Sequence, residues 1–448
     1  MRKRTSRTEL DETALRPVTS SGRGFWLVML PLGLLVLAAL FAWGWQIWQG
    51  LGSAGYNDQA FWSIYESNLV TFIGVAYGGA VVSAILRLTR TAWRAPITRL
   101  AEATALFSLL VGMMFALVHL GRPERIWELV TRPRLSSPIF WDFVAVTTYL
   151  VATVIFLYLP LIPDLAALAG RLPAGSRLVA WYRRLSLDWR ALPAQRRLLD
   201  GAMAVMAVAI IPMAVSVHSV LAWAFALSGR PGWDSSIFAP YFVVAALYSG
   251  VALVILVVAG FRQGYRLHAY IGEDHLIHLA YLMVVLDATY LYFTFADLLG
   301  EGFSMNNSVV PVMGQLLTGQ YAPSFWIWAV GGGLLPLLLV ALPWTRRTWG
   351  IVTAAALVVA GMWLKRIVIV LPVAAQPMIA GGWGSFHFTW VSITITVGAA
   401  AAIPVLMMGF FRMFPVLSVT EIEELAEEPA VRPWAHAAFG LPQEGDEE

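Results

Sequence analysis

The sequence predicts an all-α integral membrane protein with ten transmembrane helices. Of its 448 residues, 59% are hydrophobic and only 13% are charged, and the mean hydropathy is +0.70. A water-soluble chain of this length needs far more polar surface, so most of this one is expected to lie in lipid. The apolar residues fall into ten runs of roughly 20 residues or more, the length that an α-helix needs to cross a bilayer.

These ten runs define predicted helices 1 to 10 in chain order, and loops divide them into two groups. The longest loop separates helices 1–4 from helices 5–10 and is interpreted as a linker between membrane bundles. We expect two four-helix bundles plus two further helices. The helices are predicted at 25–48, 62–88, 97–121, 138–162, 199–228, 238–261, 276–299, 322–345, 348–374 and 386–414. The predicted regions are an N-terminal arm (1–24), helices 1–4 (25–162), a linker (163–198), helices 5–10 (199–414) and an acidic tail (415–448), which is typical of an interaction arm or a disordered segment.

The distribution of arginine and lysine predicts the orientation. If the N-terminus is cytoplasmic, 23 of the 30 basic residues lie in cytoplasmic segments and five in outer segments, while Lys365 and Arg366 lie within helix 9. Because cytoplasmic loops retain positive charge, both termini are predicted to be cytoplasmic. The outer loop 122–137 departs from this bias. Short loops tolerate such exceptions, but its four arginines favour a functional role; they are Arg122, Arg125, Arg132 and Arg134.

Composition also excludes several kinds of site and partner. The chain has no cysteine, which rules out thiolate-held iron–sulfur clusters, c-type haem attachment and disulfides within it. The net charge of +3 is small and comes mainly from loop arginines, which fits membrane topology better than nucleic-acid binding. The leader is too long and polar for a signal peptide, and no cleavage site follows it.

Polar residues cluster at the outer ends of three predicted helices. Glu66 and Asn68 begin helix 2, His119 and Arg122 end helix 3, and Asp142 lies near the start of helix 4. All five are expected within a turn or two of the outer interface, and His119 and Arg122 share a helical face if helix 3 continues that far. Any one of them alone fits a hydrated helix end. Because ionisable groups inside a membrane are costly, five together favour a functional site.

A quinol ring suits this cluster chemically. Its tail prefers lipid, and its hydroxyls need hydrogen-bond partners that also accept protons. His119 is a suitable acceptor, and Asp142 is expected to take or orient the second proton, with Arg122 favouring its ionised form. Tyr77 lies roughly 13 Å deeper than Asn68 and is expected to line the inner end of the same site. The chain offers no redox metal site of its own, so the electrons are expected to pass to a partner.

Four stretches carry a family resemblance: NLVTFIGVAYGGAVVSAIL, EATALFSLLVGMMFALVHLGRP, SPIFWDFVAVTTYL and SVHSVLAWAFALSGRPGWDSSIFAPYFVVAALYSGVALV. They resemble the NrfD/PsrC family of quinone-interacting membrane subunits over residues of about 60–420. With ten helices, MWLKRIVIV and FFRMFPVLSVTEIEEL, the chain is most similar to the NrfD-like subunits of alternative complex III.

The resemblance implies a subunit of a bacterial cytoplasmic-membrane complex that contains no haem or iron–sulfur cluster and holds no metal. Such a subunit binds quinol near the periplasmic face, and menaquinone is the expected quinone. The implied partners are a periplasmic iron–sulfur subunit of the molybdopterin-oxidoreductase type, a second NrfD-like membrane subunit and multihaem cytochromes c.

Two positions depart from the family pattern. Many relatives carry a histidine where this chain has Tyr77, and quinol-binding relatives have an acid where this chain has Ala224. These departures are consistent with a modified quinol site, or with a sister subunit that anchors the complex and has a degenerate site.

A second polar group lies in the later helices. Helix 5 carries His218, helix 7 carries Asp287 and Tyr290, and helix 9 carries Lys365 and Arg366. Asp287 is about 16 Å into its helix, near the midplane, where a carboxylate needs a partner, water or a proton. One interpretation is a structural ion pair with a helix 9 cation. The other is a proton relay that starts at a cytoplasmic mouth formed by Glu273, Asp274, His275 and His278.

Other function classes stay open from the sequence. A b-type cytochrome needs two histidines facing each other across helices, and the embedded candidates are His119, His218 and His387. A secondary transporter also places charges at the midplane, but no inverted repeat is evident and the first cluster lies at one face. A membrane anchor without a working quinol site is favoured by Tyr77 and Ala224.

Overall fold

In the computed structural model, which describes residues 13, 16–18, 22–172, 177–304, 307–377 and 382–422, every regular element is helical. Ten helices of this part are long and apolar enough to cross a membrane, which confirms the predicted class and number of spans. They are α1 Arg23–Gln49, α2 Ile64–Leu88, α3 Ala95–His119, α4 Pro138–Tyr158, α5 Pro193–Ala226, α6 Phe238–Gly264, α7 Glu273–Ser304, α8 Ala322–Ala341, α9 Thr348–Ala374 and α10 Trp390–Phe411.

Local chemistry explains where helix ends differ from prediction. Helix α5 begins six residues early because Pro193 suits a first turn and Gln195 accepts a hydrogen bond from the Leu192 N–H, at 3.3 Å. Helix α3 ends at His119, and Gly121 then adopts a left-handed conformation with φ +62°. Helix α10 begins late because the Thr389 hydroxyl caps its N-terminus.

Helix α2 is the centre of the molecule. It packs against α3, α5, α6 and α9, and it is buried along nearly all of its length. Helices α2 and α6 approach so closely that a β-carbon on Gly78 would lie 2.3 Å from the Cα of Gly250. Small residues at such a crossing let two backbones pack directly in a membrane. Side chains on either side of this contact therefore share one interior.

The other helices form two rings of neighbours that meet at α2 and α6. Helices α2, α3, α4 and α5 pack in one ring, and α6, α7, α8 and α9 pack in the other. Helix α1 packs mainly on α10, outside both rings. Helix α5 contacts α4, α2 and α6, so it touches helices on both sides of the predicted linker. This position brings its polar residues to the boundary between the rings.

The chain segments next to α1 and α10 meet at one face of the molecule. Arg412 donates a hydrogen bond to the backbone carbonyl of Pro17, at 2.8 Å. We call this the inner face and the face bearing His119 the outer face, in keeping with the predicted orientation, which rests on the arginine distribution.

At the inner face, the described part of the predicted linker is largely helical. It forms the short helices Leu161–Ala169 and Arg177–Leu185. After α10 the chain packs back into the interior, where Val416, Leu417 and Val419 are fully buried. Most of the predicted N-terminal arm, and residues 423–448 of the predicted acidic tail, lie outside the described residues.

Candidate functional site

The outer end of α2 holds an ion pair between Glu66 and His119. Ser63 begins α2 with a capping box, in which its backbone N–H donates to Glu66 Oε2 at 2.8 Å. The other oxygen of Glu66 pairs with Nδ1 of His119, the last residue of α3. One carboxylate therefore both caps α2 and orients the imidazole, as a carboxylate does for a catalytic histidine.

Tyr56 is a third member of this site and was not predicted. Its hydroxyl donates to Glu66 Oε2 at 3.0 Å and accepts the backbone N–H of Tyr65 at 2.9 Å. Its ring stacks on Tyr65 at 5.3 Å and meets the His119 ring edge-on at 5.6 Å. Burial, together with the adjacent Glu66 charge, raises the pKa of Tyr56 well above its usual value, so it stays a neutral donor. Tyr56 lies in the loop before α2, where no periodic pattern marks it.

The imidazole is the accessible half of the pair. The His119 side chain is 30% exposed, whereas that of Glu66 is 10% exposed. Within the described part of the chain, no hydrogen bond occupies the second ring nitrogen, Nε2. An imidazole held by a carboxylate on one side and open on the other can accept a proton from a hydroxyl-bearing ligand.

Arg122 and Asp142 do not join this pair as predicted. Because α3 ends at His119 and Gly121 turns the chain, Arg122 does not share a helical face with His119 and is exposed to solvent. Among the described residues it makes no ion pair with Asp142. Asp142 is partly buried on α4, and its Oδ1 has no hydrogen-bond partner there. Its charge reaches the Tyr77 hydroxyl instead.

Asn68 holds helices together. Its Oδ1 accepts the indole N–H of Trp363 at 2.7 Å, and its Nδ2 donates to Thr396 Oγ1 at 2.7 Å. These bonds join α2 to α9 and α10. The side chain is fully buried, so its bonds support the outer end of α2 and leave the ligand contacts to other residues.

Deeper on α2, Tyr77 packs between two aromatic rings. Its ring lies 4.7 Å from that of Tyr149 and 4.5 Å from that of His218, edge-on in both cases, and its buried hydroxyl has no partner within the described residues. Tyr77 is eleven residues beyond Glu66, which places it roughly 16 Å deeper. His218 therefore lies far below His119, and this separation prevents the two imidazoles from ligating one haem iron.

His218 also lines a small cavity at the boundary between the two rings of helices. The cavity has a volume of about 10 Å³, which is room for roughly one water molecule. Val70, Tyr241, Tyr290 and Arg366 contribute to its wall. Helices 5, 7 and 9 therefore do share a cavity, a point that the sequence left open.

Arg366 projects from α9 into this cavity. It donates to Ser249 Oγ at 2.9 Å and to the Met362 carbonyl at 3.3 Å. Gly74 leaves room for it, since a β-carbon there would lie 2.7 Å from Arg366 Nη2 and 3.4 Å from His218 Nε2. The guanidinium and the imidazole thus approach the same point on α2.

The predicted ion pair of Asp287 does not form. Asp287 is buried, and neither of its oxygens has a hydrogen bond or a cation within 4.0 Å among the described residues. Lys365 instead places its ammonium 4.2 Å from the ring centre of Trp328, a cation–π contact. Tyr248, which electrostatically couples to Asp287, donates its hydroxyl to the Gly332 carbonyl at 3.0 Å. Asp287 is a buried acid without a structural counter-charge.

The predicted mouth residues make contacts at the inner end of α7. Glu273 accepts the Thr348 backbone N–H at 2.6 Å, so it caps α9. His275 is buried and accepts the Gly272 N–H at 3.1 Å. His278 stacks on Trp93 at 5.2 Å. Asp274 is exposed. The structure therefore gives three of them packing or capping contacts.

A buried ionic network at the inner face was not predicted. Arg87 pairs with Glu102 at 3.0 Å and with Glu421 at 2.6 Å, and Arg99 pairs with Asp164 at 2.8 Å. The sequence showed Arg87 and Arg99 only as loop charges. Their acidic partners lie 15, 334 and 65 positions away, too far for any local pattern to reveal most of the network.

Comparisons with known proteins match the chain over most of its length. The family model described as "Polysulphide reductase, NrfD" matches residues 52–378. A putative dimethyl sulfoxide reductase membrane protein (the C chain of that enzyme) from Halobacterium salinarum is 32% identical, over 91% of this chain and 95% of its own length. The C chain of a selenate reductase from Mesobacillus selenatarsenatis is 25% identical, over 74% and 78%. Protein NrfD of Escherichia coli is 23% identical, over 67% and 89%.

Proposed function

The chain belongs to the NrfD polysulphide reductase family, and from this premise we propose that it is the quinol-oxidising membrane subunit of an oxidoreductase complex. It binds a quinol, with menaquinone as the expected species, at the outer end of α2 and α3. The electrons pass to an iron–sulfur partner on the outer face. Similarity to proteins named for dimethyl sulfoxide and selenate reductases supports assembly with a catalytic oxidoreductase subunit.

The observation that carries the proposal is the Glu66–His119 pair with its open imidazole. A quinol hydroxyl donates to His119 Nε2, and its proton transfers there as electrons leave the ring. Glu66, held by Tyr56 and the Ser63 N–H, stabilises the imidazolium that forms. The partial exposure of His119 then lets this proton leave to the outer side.

Oxidation of one quinol releases two protons and two electrons. His119 accepts the first proton. Asp142, which is partly buried and has an oxygen without a partner among the described residues, accepts the second. Tyr77, within reach of the Asp142 charge, lines the deeper wall. The two electrons reduce the iron–sulfur cluster of the partner, so atoms and electrons balance.

The outer loop supplies the surface for that partner. Arg122, Arg125, Arg132 and Arg134 are all exposed, and Trp127 between them is 70% exposed. Arg125 has only Glu128 nearby, at 3.7 Å. An arginine-rich surface with a central exposed indole is typical of a protein–protein contact.

A proton-coupling role for the interior completes the proposal. His218, Arg366 and Tyr290 share a cavity, and Asp287 is a buried acid without a counter-charge. Groups of this kind mark proton routes in membrane proteins. Lys365, Glu273, His275 and His278 would extend the route toward both faces.

Assignment to alternative complex III rather than to a reductase depends on the partners. Neighbouring genes for multihaem cytochromes c and a second NrfD-like subunit support alternative complex III. A neighbouring molybdenum reductase gene supports a reductase complex.

The experiment is quinol oxidation by the purified complex carrying His119→Ala. We expect a loss of about 100-fold or more, the scale of a removed general base. His387→Ala is the matched control, because it removes another exposed imidazole from the outer face. If a normally assembled His119→Ala complex oxidises quinol at the parental rate, the site lies in another subunit. The chain is then a structural membrane anchor with a degenerate site.

A further inference from the structure

The inner face carries a short helix, Arg177–Leu185, held at the level where the membrane-spanning helices end. The Tyr158 hydroxyl donates to the Leu185 carbonyl at 2.6 Å, and the Tyr182 hydroxyl donates to the Met413 carbonyl at 2.8 Å. Tyr158 is the last residue of α4, and Met413 closely follows α10. The two bonds therefore fix this helix at the boundary between the membrane core and the inner aqueous phase.

The helix has two chemically different sides. Val179 and Tyr182 are buried against the rest of the protein. Arg177, Arg183 and Arg184 are exposed on the opposite side, as the helical period of 3.6 residues requires. A short amphipathic helix with one protein-facing side and one basic side lies along a membrane surface more naturally than across it.

Exposed apolar side chains lie at the same level. Trp181, between the buried and basic sides, is 60% exposed, and Leu187 just after the helix is 64% exposed. Tryptophan prefers the headgroup region because its ring is apolar and its N–H is polar. The first turns of α5 add exposed Arg196 and Arg197 beside them.

The charge of this surface is strongly one-sided. Residues 177–197 contain six arginines and no lysine, and their single acid, Asp188, pairs with Arg190 at 2.8 Å. Among the described residues the other five make no ion pair with an acid. They are Arg177, Arg183, Arg184, Arg196 and Arg197. Guanidinium groups bind phosphate through two parallel hydrogen bonds, which an ammonium group cannot reproduce.

We propose that residues 177–197 form an interfacial surface that binds the headgroups of anionic phospholipids. Arg183 and Arg184 contact the phosphates, while Trp181 and Leu187 enter the region between headgroups and acyl chains. The combination of exposed indole, exposed leucine and unpaired arginines at one membrane boundary favours lipid over a soluble acidic protein. This surface lies on the face opposite His119, so the inference is independent of the proposed quinol site.

The test is native mass spectrometry of the full-length chain incubated with phosphatidylglycerol or phosphatidylcholine. The parent is expected to retain phosphatidylglycerol preferentially. Arg183→Gln/Arg184→Gln is expected to weaken that retention about fivefold for each arginine removed, and the weakening should shrink as ionic strength rises. Arg183→Lys/Arg184→Lys keeps the charge and is expected to retain most of the bound lipid.

Arg90→Gln/Arg347→Gln is the matched control, because it removes two exposed arginines from the same face but outside the surface. It is expected to retain phosphatidylglycerol as the parent does. Thermal unfolding of each variant reports whether the chain still folds. Equal retention by Arg183→Gln/Arg184→Gln and the control pair overturns the proposal, as does a parent that binds both lipids equally.

Discussion

Glu66 and His119 meet as the first turn of α2 and the last residue of α3, and their ion pair joins the two most closely packed helices of the molecule at the outer face. The carboxylate is buried behind the imidazole, and Tyr56 closes it from the loop side. This arrangement gives the histidine one fixed nitrogen and one open nitrogen. The first prediction follows from that asymmetry.

Replacement of Glu66 with glutamine should slow quinol oxidation by roughly tenfold to 100-fold, because the neutral amide orients His119 but no longer stabilises its protonated form. Steady-state quinol oxidation by the assembled complex measures this. Asp58→Asn, an exposed carboxylate in the same loop, is the control and should act like the parent. A parental rate for Glu66→Gln would exclude the pair from catalysis.

Asp142→Asn should reduce turnover more than binding. The amide still hydrogen-bonds a quinol ring but does not accept its proton, so kcat should fall by about 100-fold while quinone affinity changes little. Turnover and a separate quinone titration measure the two effects. Thr148→Ala, an exposed position on the same helix, controls for disturbance of α4. An equal loss of affinity and turnover would make Asp142 a binding residue alone.

Asp287→Asn should assemble normally, because no cation within 4.0 Å depends on this carboxylate among the described residues. Quinol oxidation should persist, whereas proton translocation into proteoliposomes should fall. Thr289→Val, two residues further along on the exposed side of α7, is the control. Poor assembly of Asp287→Asn would indicate a structural role, and unchanged proton movement would remove Asp287 from the route.

Charge reversal in the outer loop should release the iron–sulfur partner. Arg125→Glu/Arg132→Glu changes two exposed side chains, and the exposed Arg125–Glu128 contact contributes at most about 1 kcal/mol, so the chain should still fold. Co-purification at physiological ionic strength measures the partner. Arg90→Glu/Arg347→Glu makes the same change at the inner face and should leave it bound. An intact complex in both cases would place the docking surface elsewhere.

The inner network predicts a pH-dependent attachment of residues 415–422. Burial raises the pKa of Glu421, but Arg87 and Arg94 outweigh this and hold it below its usual value near 4.5. The stabilisation is therefore complete above about pH 4.5 and is lost as the pH falls through the lowered pKa of the folded state. Glu421→Gln should lose it at every pH.

Because Glu421→Gln leaves Arg87 with one partner fewer in a buried site, a destabilisation of about 3 kcal/mol is expected. Limited proteolysis after α10 and thermal unfolding measure the release of the segment. Glu128→Gln, which removes an exposed acid at the other face, should behave as the parent. Equal protection of the Glu421→Gln segment would show that Val416, Leu417 and Val419 hold it by packing alone.

Ten helices, and the choice of Glu66, His119, Asp142 and His218 as notable residues, came from local properties of the chain. Apolar runs of membrane length predict spans because each helix satisfies its own backbone hydrogen bonds in lipid. Ionisable residues within such runs stand out because they are costly there. Neither argument uses contacts between distant segments, so both work on sequence alone.

Partnership within the site depended on contacts that no local pattern contains. The sequence favoured His119 with Arg122 and Asp142, but Gly121 ends the helical turn and directs Arg122 into solvent. Tyr56 entered the site from a loop, and Lys365 contacts an indole ring in place of Asp287. Each of these outcomes is set by a chain reversal or by competition among several neighbours.

The sequence by itself determined the class of the protein, the number of spans and the residue types that suit quinol chemistry, because hydropathy and ionisation are properties of single segments. Only the tertiary structure decided that Glu66 pairs with His119, and that His218, Tyr290 and Arg366 share one cavity. The glycine contact of Gly78 with Gly250 brings α2 and α6 together, and the resulting helix packing, which depends on side-chain shape along every helix at once, selects the partners of each polar group.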